Sequence, residues 1–516
     1  MHYPKPPDDK IYDAIIVGSG AGGLTAGVKM AIRGASVLIL EQAPSFGGYL
    51  NPFRWKEYTF DTGLHYVGEL GEGGAFRKML GRLGLEDRIK FIELNPDGFN
   101  YYHFGNTDFV LPKGRAVFRN RLFAEFPGHE SEIEKFFKTL SDLEMAVDAV
   151  TSMGRGFLSK LRGLRYLPGL AKYFRSNYKQ ILDDITDDVR LQTIFSLFSG
   201  EIGLPPSKCS VFPGFLVFSH YLQGAFYPEG GGGGLRDAMV RLIQEKNGFF
   251  RRRFEVRRIT KDGSIFQVFG SKGTYKSRSV IGNADPKIMF EELIDPSLNI
   301  GGLRRKAEKT IPSLGGFYAF IGTDLDLPAM GITDANIFHG DFMDVEENWV
   351  ETIKGDLPEN FRSFMITSPS LKDPRHPHAP KGKYAIEVVS LMSIKPFMKW
   401  ADVPSRRRGP DYDKLKQDLG MKLLKKVERY IPGLTKHLDF VEFATPLSNL
   451  YWVNAPAGGC YGPDQIPSQM GMGRFRITTP IPGLFLAGAG VYGGGVFPSM
   501  KSGEDAGGQA LKFLNR

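Results

Sequence analysis

Between Lys10 and Glu41 the chain carries a unit that few folds can use. Residues Ile11 to Val17 (IYDAIIV) form an apolar, β-branched run suited to a strand buried on both faces. Gly18 to Gly23 break that run, a helix is expected from about Leu24 to Arg33, and Gly34 closes it. A second strand, Ala35 to Leu40, ends directly on Glu41. The connection lengths are those of a βαβ unit. Gly18, Gly20 and Gly23 stand in GxGxxG spacing at the strand-to-helix step. Gly18 permits the tight turn, Gly20 lets bare backbone approach a pyrophosphate, and Gly23 allows close helix–strand packing. Ser19, Ala21 and Gly22 complete the loop, and the helix N-terminus offers oriented amides to an anion. Glu41, with Gln42 beside it, lies where a carboxylate accepts hydrogen bonds from a ribose and disfavours a 2′-phosphate. The unit points to a dinucleotide.

With 516 residues the chain has room for two or three folded units. Its only cysteines, Cys209 and Cys460, lie far apart, which leaves no disulfide framework, no cysteine-based zinc site and no CxxC redox pair. A reducing, cytoplasmic home is expected. The start MHYPKPPDDK has no apolar core, and no later stretch reaches about 18 uninterrupted apolar residues, so neither secretion nor a spanning helix is expected. Glycine is in excess, 63 residues against the 36 or so that an average of about 7% would give. Aromatics at 12% exclude disorder, so the surplus marks tight turns and close backbone approaches. A net charge of +9 favours an anionic partner: a nucleotide, an anionic membrane or an acidic substrate.

Downstream, mixed-charge helical stretches are expected over 130–150 and 181–199. Phe250 to Thr260, Ser264 to Phe269 and Gly273 to Ile281 then alternate like an antiparallel meander. A buried strand at Leu484 to Ala487, a glycine-rich turn and a helix from about Ser499 to Leu514 close the chain. The expected division is an α/β, Rossmann-like nucleotide-binding domain from 1–75, 224–290 and 440–516. An interleaved substrate domain with a helical lid comes from 76–223 and 291–439.

Further segments carry a resemblance. Gly47-Gly48 follow Glu41, and FDTGLHYVG occupies Phe60 to Gly68. HYLQGAFYPEGG runs from His220 to Gly231, VIGNADP from Val280 to Pro286 and PLSNLYWVNAPAGGCYGPDQ from Pro446 to Gln465. The end reads TTPIPGLFLAGAGVYGGGVFPSMKSGEDAG. Together these resemble the glycine-rich flavoproteins that include amine oxidases, phytoene desaturases, carotenoid isomerases and retinol saturases. Within them the likeness is strongest to the retinol saturase (all-trans-retinol 13,14-reductase) group and its bacterial relatives, and it spans nearly the whole chain. The resemblance implies FAD. Gly47, Gly48 and Tyr49 would approach it, Thr62, Gly63, Leu64 and His65 would line the flavin, and Val256 would meet adenine through its backbone. Gly488, Ala489, Val496 and Phe497 would face the ribityl and pyrimidine edge, where a helix N-terminus favours negative charge. Many members carry Gly-Asp where this chain has Gly488-Ala489, so a side-chain carboxylate is lost there. The 492–500 stretch is more similar to the desaturase and isomerase ending.

The implied chemistry is hydride transfer at flavin N5 to or from a C=C bond of a hydrophobic polyene or isoprenoid-like lipid. Reduction of the retinol-saturase type needs a proton donor as well, and the candidates are His65, Tyr66, Tyr221, Tyr227 and Tyr461. Carotenoid desaturation or cis–trans isomerisation would use the same residues, and a flavin-free isoprenoid carrier of the GDP-dissociation-inhibitor type is the alternative of another class. Other motifs read more plainly. Glu229 to Leu235 (EGGGGGL) lacks the Lys-Ser/Thr of a phosphate loop and reads as a flexible turn before a helix at Leu235. Segment 154–180 carries seven Lys or Arg and no acid, the pattern of a helix pair on an anionic bilayer or of a solvated lid face. No nucleic-acid module accompanies it. His376 and His378 sit among prolines and charges, as in an exposed loop, with no third metal ligand, and Cys460 reads as a partly buried structural thiol.

Overall fold

The computed structural model describes residues 3–151 and 169–515. The expected βαβ unit is its centre. Strand Ile11–Val17 runs parallel to both Val37–Leu40 and the end of Gly273–Gly282, with helix Ala21–Ala31 between the first two. Every residue of the first strand after Ile11 is buried, as an apolar run covered on both faces requires. The helix starts three residues before Leu24, because Ala21 and Gly22 already take helical backbone.

The sheet continues on both sides. On the edge away from Ile11–Val17, Gly273–Gly282 is long enough to serve two partners: its first half closes an antiparallel meander with Ile265–Gly270 and Val256–Asp262, and its second half pairs in parallel with Leu484–Leu486. The expected single strand Phe250 to Thr260 is in fact two. Phe249–Arg251 pairs in parallel with Val37–Leu40, and Val256–Asp262 opens the meander. Between them Arg253 adopts φ 53°, while the Arg253 and Phe254 amides donate to the carbonyls of Ala43 and Glu41. The chain bends there to fold over the Glu41 loop.

A second seven-stranded sheet stands apart, ordered Leu438–Ala444, Gly315–Thr323, Tyr384–Met392, Ser363–Thr367, Asn336–Gly340, Asn100–Phe104 and Thr107–Leu111. Its strands come from both halves of the expected substrate domain, and Leu438–Ala444 lies across the expected boundary at 440. Its strands are scattered along the chain and pair only in three dimensions, so no short segment of the sequence displays the sheet. Helices of 115–151 and 178–221 pack beside it around a phenylalanine cluster, in which Phe136 stacks on Phe195 with ring centroids 4.0 Å apart. The helix expected over 181–199 is broken in two, Tyr178–Ile185 and Val189–Phe195, with Asp188 capping the second. Basic residues Lys160, Arg162 and Arg165 lie outside the described residues.

The glycine run is not a turn. Gly231–Glu245 is one helix, and its first turn is made of glycine. A Cβ on Gly231 would stand 2.6 Å from an Asp61 carboxylate oxygen, and one on Gly232 would stand 3.2 Å from the Leu50 carbonyl. Glycine's low helix propensity is overridden by a close approach that no side chain permits. His378, expected in an exposed loop, is also buried, at 2% exposure, beside Asp373.

Candidate functional site

The helix Ala21–Ala31 opens onto a cavity of about 1600 Å³. An ordinary single-ligand pocket measures roughly 300–1,000 Å³, so this one has room for two molecules end to end. At the glycine-loop end the Glu41 carboxylate is fixed rather than free. Oε2 accepts from the Ser19 amide at 3.0 Å and the Ser19 hydroxyl at 2.6 Å, and Oε1 accepts from the Ala43 amide at 2.8 Å. The Gly47 amide donates to the Ser19 hydroxyl at 3.0 Å, which ties the 47–48 turn to the glycine loop. A carboxylate has about four lone-pair sites, so one position on Oε1 remains for a ribose hydroxyl. Gln42 and Val256 line the same end.

Three distant chain segments meet under the loop. A Cβ on Gly22 would stand 2.5 Å from Asn283 Oδ1 and 2.7 Å from the Gly488 nitrogen, and one on Gly23 would stand 2.1 Å from the Gly18 carbonyl. Gly48, at φ 55°, lies so near Gly20 that a Cβ would come within 3.2 Å of its Cα. This bare backbone cradle suits a dinucleotide. Asn283 Oδ1, buried against the loop, has no hydrogen-bond partner among the described residues.

Further in, the 49–51 and 62–65 segments form one wall. Thr62 donates its hydroxyl to the carbonyls of Tyr49 and Asn51, and Tyr49 donates to the Gly459 carbonyl at 2.6 Å. Opposite stand Gly488, Ala489, Val496 and Phe497, where helix Val496–Phe513 begins. Ser502 in that helix accepts from the Gly488 amide at 2.7 Å, holding the turn against the helix.

Behind this wall lies a buried polar network. His65 Nδ1 pairs with Glu387 Oε2 at 2.9 Å, and Glu387 Oε1 accepts from the Asp61 amide at 2.5 Å. Asp61 accepts from the Tyr227 hydroxyl and from the Gly232 amide. Lys372, buried at 2% exposure, donates to the His65 carbonyl, to Asn336 Oδ1 and to Thr367. Burial pushes the carboxyls of Asp61 and Glu387 up and the Lys372 ammonium down. Burial also lowers His65 to about 4, with Lys372 adding to the effect, so its ring is neutral at pH 7. Asn336 donates to Asn100, Asn100 donates to Tyr66 and Tyr102, and Tyr66 donates to Glu201 Oε1 at 2.8 Å.

Beyond the network the cavity becomes apolar. Phe104, Phe338, Phe342, Val345 and Trp349 line one arm, and Trp452 and Tyr492, 49% and 43% exposed, stand at the rim.

Comparison with known proteins assigns this architecture. The profile of the flavin-containing amine oxidoreductase family matches residues 21–507. The chain belongs to that family. Like other flavin-containing amine oxidoreductases it is an oxidoreductase with a flavin cofactor. Among curated proteins it is 26% identical over 511 residues to all-trans-retinol 13,14-reductase of Danio rerio, covering 93% of this chain and 82% of that one. It is 25% identical over 514 residues to the chloroplastic prolycopene isomerase of Arabidopsis thaliana, covering 94% and 80%. Among solved structures, putrescine oxidase matches with a TM-score of 0.65 at 15% identity, covering 98% of this chain and all of that one, which is a likeness of fold.

Within this flavin-containing amine oxidoreductase, most residues singled out from the sequence converge on the one cavity. Gly18, Ser19, Gly20, Ala21, Gly22, Glu41, Gln42, Gly48, Tyr49, Thr62, Gly63, His65, Val256, Gly488, Ala489, Val496 and Phe497 line it, as do Tyr66, Tyr221, Tyr461 and Cys460. Others do not. Leu64 points into the hydrophobic core at 1% exposure instead. Gly23 and Gly47 lie behind the wall as packing positions, and Tyr227 is spent on Asp61. Sequence reasoning missed Asp61, Glu387, Lys372, Asn100, Asn336 and Glu201. Asp61 stands inside the FDTGLHY segment, but the others gain their meaning only from residues far away in the chain.

Proposed function

We propose that the chain is an FAD-dependent oxidoreductase that reduces a C=C bond of a hydrophobic polyene or isoprenoid-like lipid, in the manner of a retinol saturase. The observation that carries this reading is the continuity of the cavity, from the glycine cradle at Gly18–Gly22 into an arm walled by phenylalanine and tryptophan. A long apolar molecule fits such an arm, where it would lie end-on to the flavin. The 26% likeness to all-trans-retinol 13,14-reductases over 93% of the chain supports the substrate class.

In this reading the Gly18–Gly23 loop, Glu41, Gln42 and Val256 hold the adenosine and pyrophosphate, and the Gly48–Tyr49, Thr62–His65 and Gly488–Phe497 segments hold the flavin. When bound, FAD supplies a hydride equivalent at its N5. The chain's own residues exclude water, orient the polyene along the aromatic arm and deliver the proton. Tyr66, Tyr221 and Tyr461 form the wall nearest that task. Tyr66 and Tyr221 have ring centroids 4.6 Å apart, and Tyr221 stacks on Phe198. The substrate would come from a membrane surface, entering past the half-exposed Trp452 and Tyr492.

The 25% identity to prolycopene isomerase over 94% of the chain supports a second reading, cis–trans isomerisation at the same site. Purified protein is expected to be yellow and to release FAD on acid treatment, whereas a colourless protein would favour a flavin-free carrier. Retinol, phytoene and a poly-cis carotenoid are then added to the oxidised holoprotein. A perturbed flavin spectrum is expected with a polyene and none with putrescine; the reverse pattern would overturn the substrate class.

A further inference from the structure

Glu201 sits in a one-turn helix, Ser199–Ile202, ended by Gly203 in the left-handed region at φ 83°. It lines the cavity, next to the aromatic wall. Its two carboxyl oxygens differ. Oε1 accepts from the Tyr66 hydroxyl at 2.8 Å, while Oε2 is buried with no hydrogen-bond partner among the described residues. A buried carboxylate oxygen left bare is costly; the same oxygen carrying a proton is far less so.

The donors that lead to Glu201 all point one way. The Lys372 ammonium donates to Asn336 Oδ1 at 2.6 Å, Asn336 Nδ2 to Asn100 Oδ1 at 2.8 Å, Asn100 Nδ2 to the Tyr66 hydroxyl at 3.1 Å, and that hydroxyl to Glu201. A head-to-tail series begun by a cation polarises each member in turn, so Tyr66 is a strengthened and rigidly aimed donor. Lys372 also lies 5.6 Å from the centre of the Tyr66 ring. Asn100 and Asn336 are both fully buried, and nothing about packing alone requires two asparagines there.

We infer that Glu201 is the acid of this site: its Oε2 proton is the one given to the substrate, and Lys372, Asn336, Asn100 and Tyr66 form the chain that positions it. The inference rests on the polyene-reductase reading. In the balanced step, one alkene carbon takes a hydride from the reduced flavin and its neighbour takes the proton from Glu201. The π bond breaks, two C–H bonds form, the flavin loses two electrons and the alkene gains them. Glu201 is left as a carboxylate, steadied by the Tyr66 hydrogen bond until water reprotonates it.

The ionisation of Glu201 fits this role. Burial pushes its carboxyl up to about 7, against which the Tyr66 hydrogen bond acts. The other titratable groups around it are phenols: Tyr66, Tyr102 on strand Asn100–Phe104, Tyr221 at the end of helix Val211–Tyr221, and Tyr461 in the 454–465 loop. Burial raises all four, so they stay neutral through the range in which Glu201 titrates. Along the chain His65 is already neutral at pH 7, and Lys372 meets Glu201 only through the asparagines and Tyr66.

The test compares holoprotein with its Glu201→Gln, Glu201→Asp and Tyr66→Phe variants. In wild type, flavin reoxidation by the polyene is expected to slow as pH rises through about 7, where the acid form is lost. Glu201→Gln should lower that rate by about 10²–10⁴ and flatten the profile, with Glu201→Asp restoring part of the rate. Tyr66→Phe removes a donor that stabilises the carboxylate, so its break should move to higher pH. Infrared spectra of wild type minus Glu201→Gln, without substrate, should show a carboxylic-acid C=O band at pH 6 that vanishes by pH 8; the subtraction removes Asp61 and Glu387, whose carboxyls burial also raises. A wild-type rate and profile in Glu201→Gln, or no such acid band at pH 6, would overturn the assignment. If no polyene reoxidises wild-type flavin, the functional reading fails, and the infrared band by itself decides whether Glu201 is the neutral acid of the site.

Discussion

At the scale of single residues the fold is governed by where a Cβ cannot go and where a charge cannot stay. Gly231 pairs φ 65° with an Asp61 oxygen and the Tyr227 hydroxyl at 2.6 and 2.7 Å from a would-be Cβ. Gly231→Ala is expected to cost about 1–3 kcal/mol, read from urea unfolding. Tyr227→Phe removes a buried donor from Asp61 and is expected to cost a similar amount, about 1–3 kcal/mol. Glu201 adds a dependence on pH. Its carboxyl sits near 7 in the fold against an ordinary 4.5, so the folded chain holds the proton more tightly than the unfolded one. Stability from this group is full below about 4.5 and is lost as pH rises through about 7. Glu201→Gln should therefore unfold with a shallower decline between pH 5 and 8 than wild type; an identical decline would mean that Glu201 is not buried as an acid. The GxGxxG residues and Glu41 were legible in the sequence because a strand, a turn and an acid lie within one short unit. Glu201 was not, because its burial is a product of the fold and its hydrogen-bond donor, Tyr66, lies 135 positions away in the chain.

Among the elements, the crossing of helices Ala21–Ala31 and Val496–Phe513 decides whether the nucleotide cradle forms. A Cβ on Gly503 would stand 2.1 Å from the Gly22 carbonyl, so Gly503→Ala must separate the helices. Lower stability, by about 1–3 kcal/mol, and a lower flavin content after gel filtration are expected. Gly508, in the same helix, meets nothing within 4 Å. Gly508→Ala should be neutral or stabilise by up to about 1 kcal/mol. Equal losses from both would show that helix propensity, and not the crossing, was being measured. The closing helix could be read after the buried strand and glycine-rich turn that precede it, though it starts at Val496 rather than Ser499. The helix Gly231–Glu245 could not. Local propensity makes a glycine run a turn, and the glycines are explained by Asp61 beneath Gly231, the Leu50 carbonyl beside Gly232 and the Glu229 carbonyl against Gly234.

On the scale of the whole molecule, two sheets share one cavity, and the second sheet carries much of the buried polar network behind it. Asn100, Asn336, Thr367 and Glu387 are all on strands of that sheet, and Lys372 follows closely after one. His65 and Asp61 come from the segment joining the nucleotide domain to it. The Rossmann-like half was legible because its strands are consecutive or strongly apolar. The other sheet was not, since Asn100–Phe104 pairs with Asn336–Gly340 from more than 230 positions away. In the proposed reading FAD binds only the folded cradle, so excess FAD should raise the melting temperature of flavin-depleted protein in proportion to the logarithm of its concentration. The most direct measurement is a single anaerobic turnover of photoreduced holoprotein with retinol, following flavin absorbance and product mass together. One equivalent of flavin should reoxidise as the polyene gains two hydrogens and loses one double bond. Flavin that stays reduced, or a product of unchanged mass with a shifted chromophore, would overturn the reductase reading.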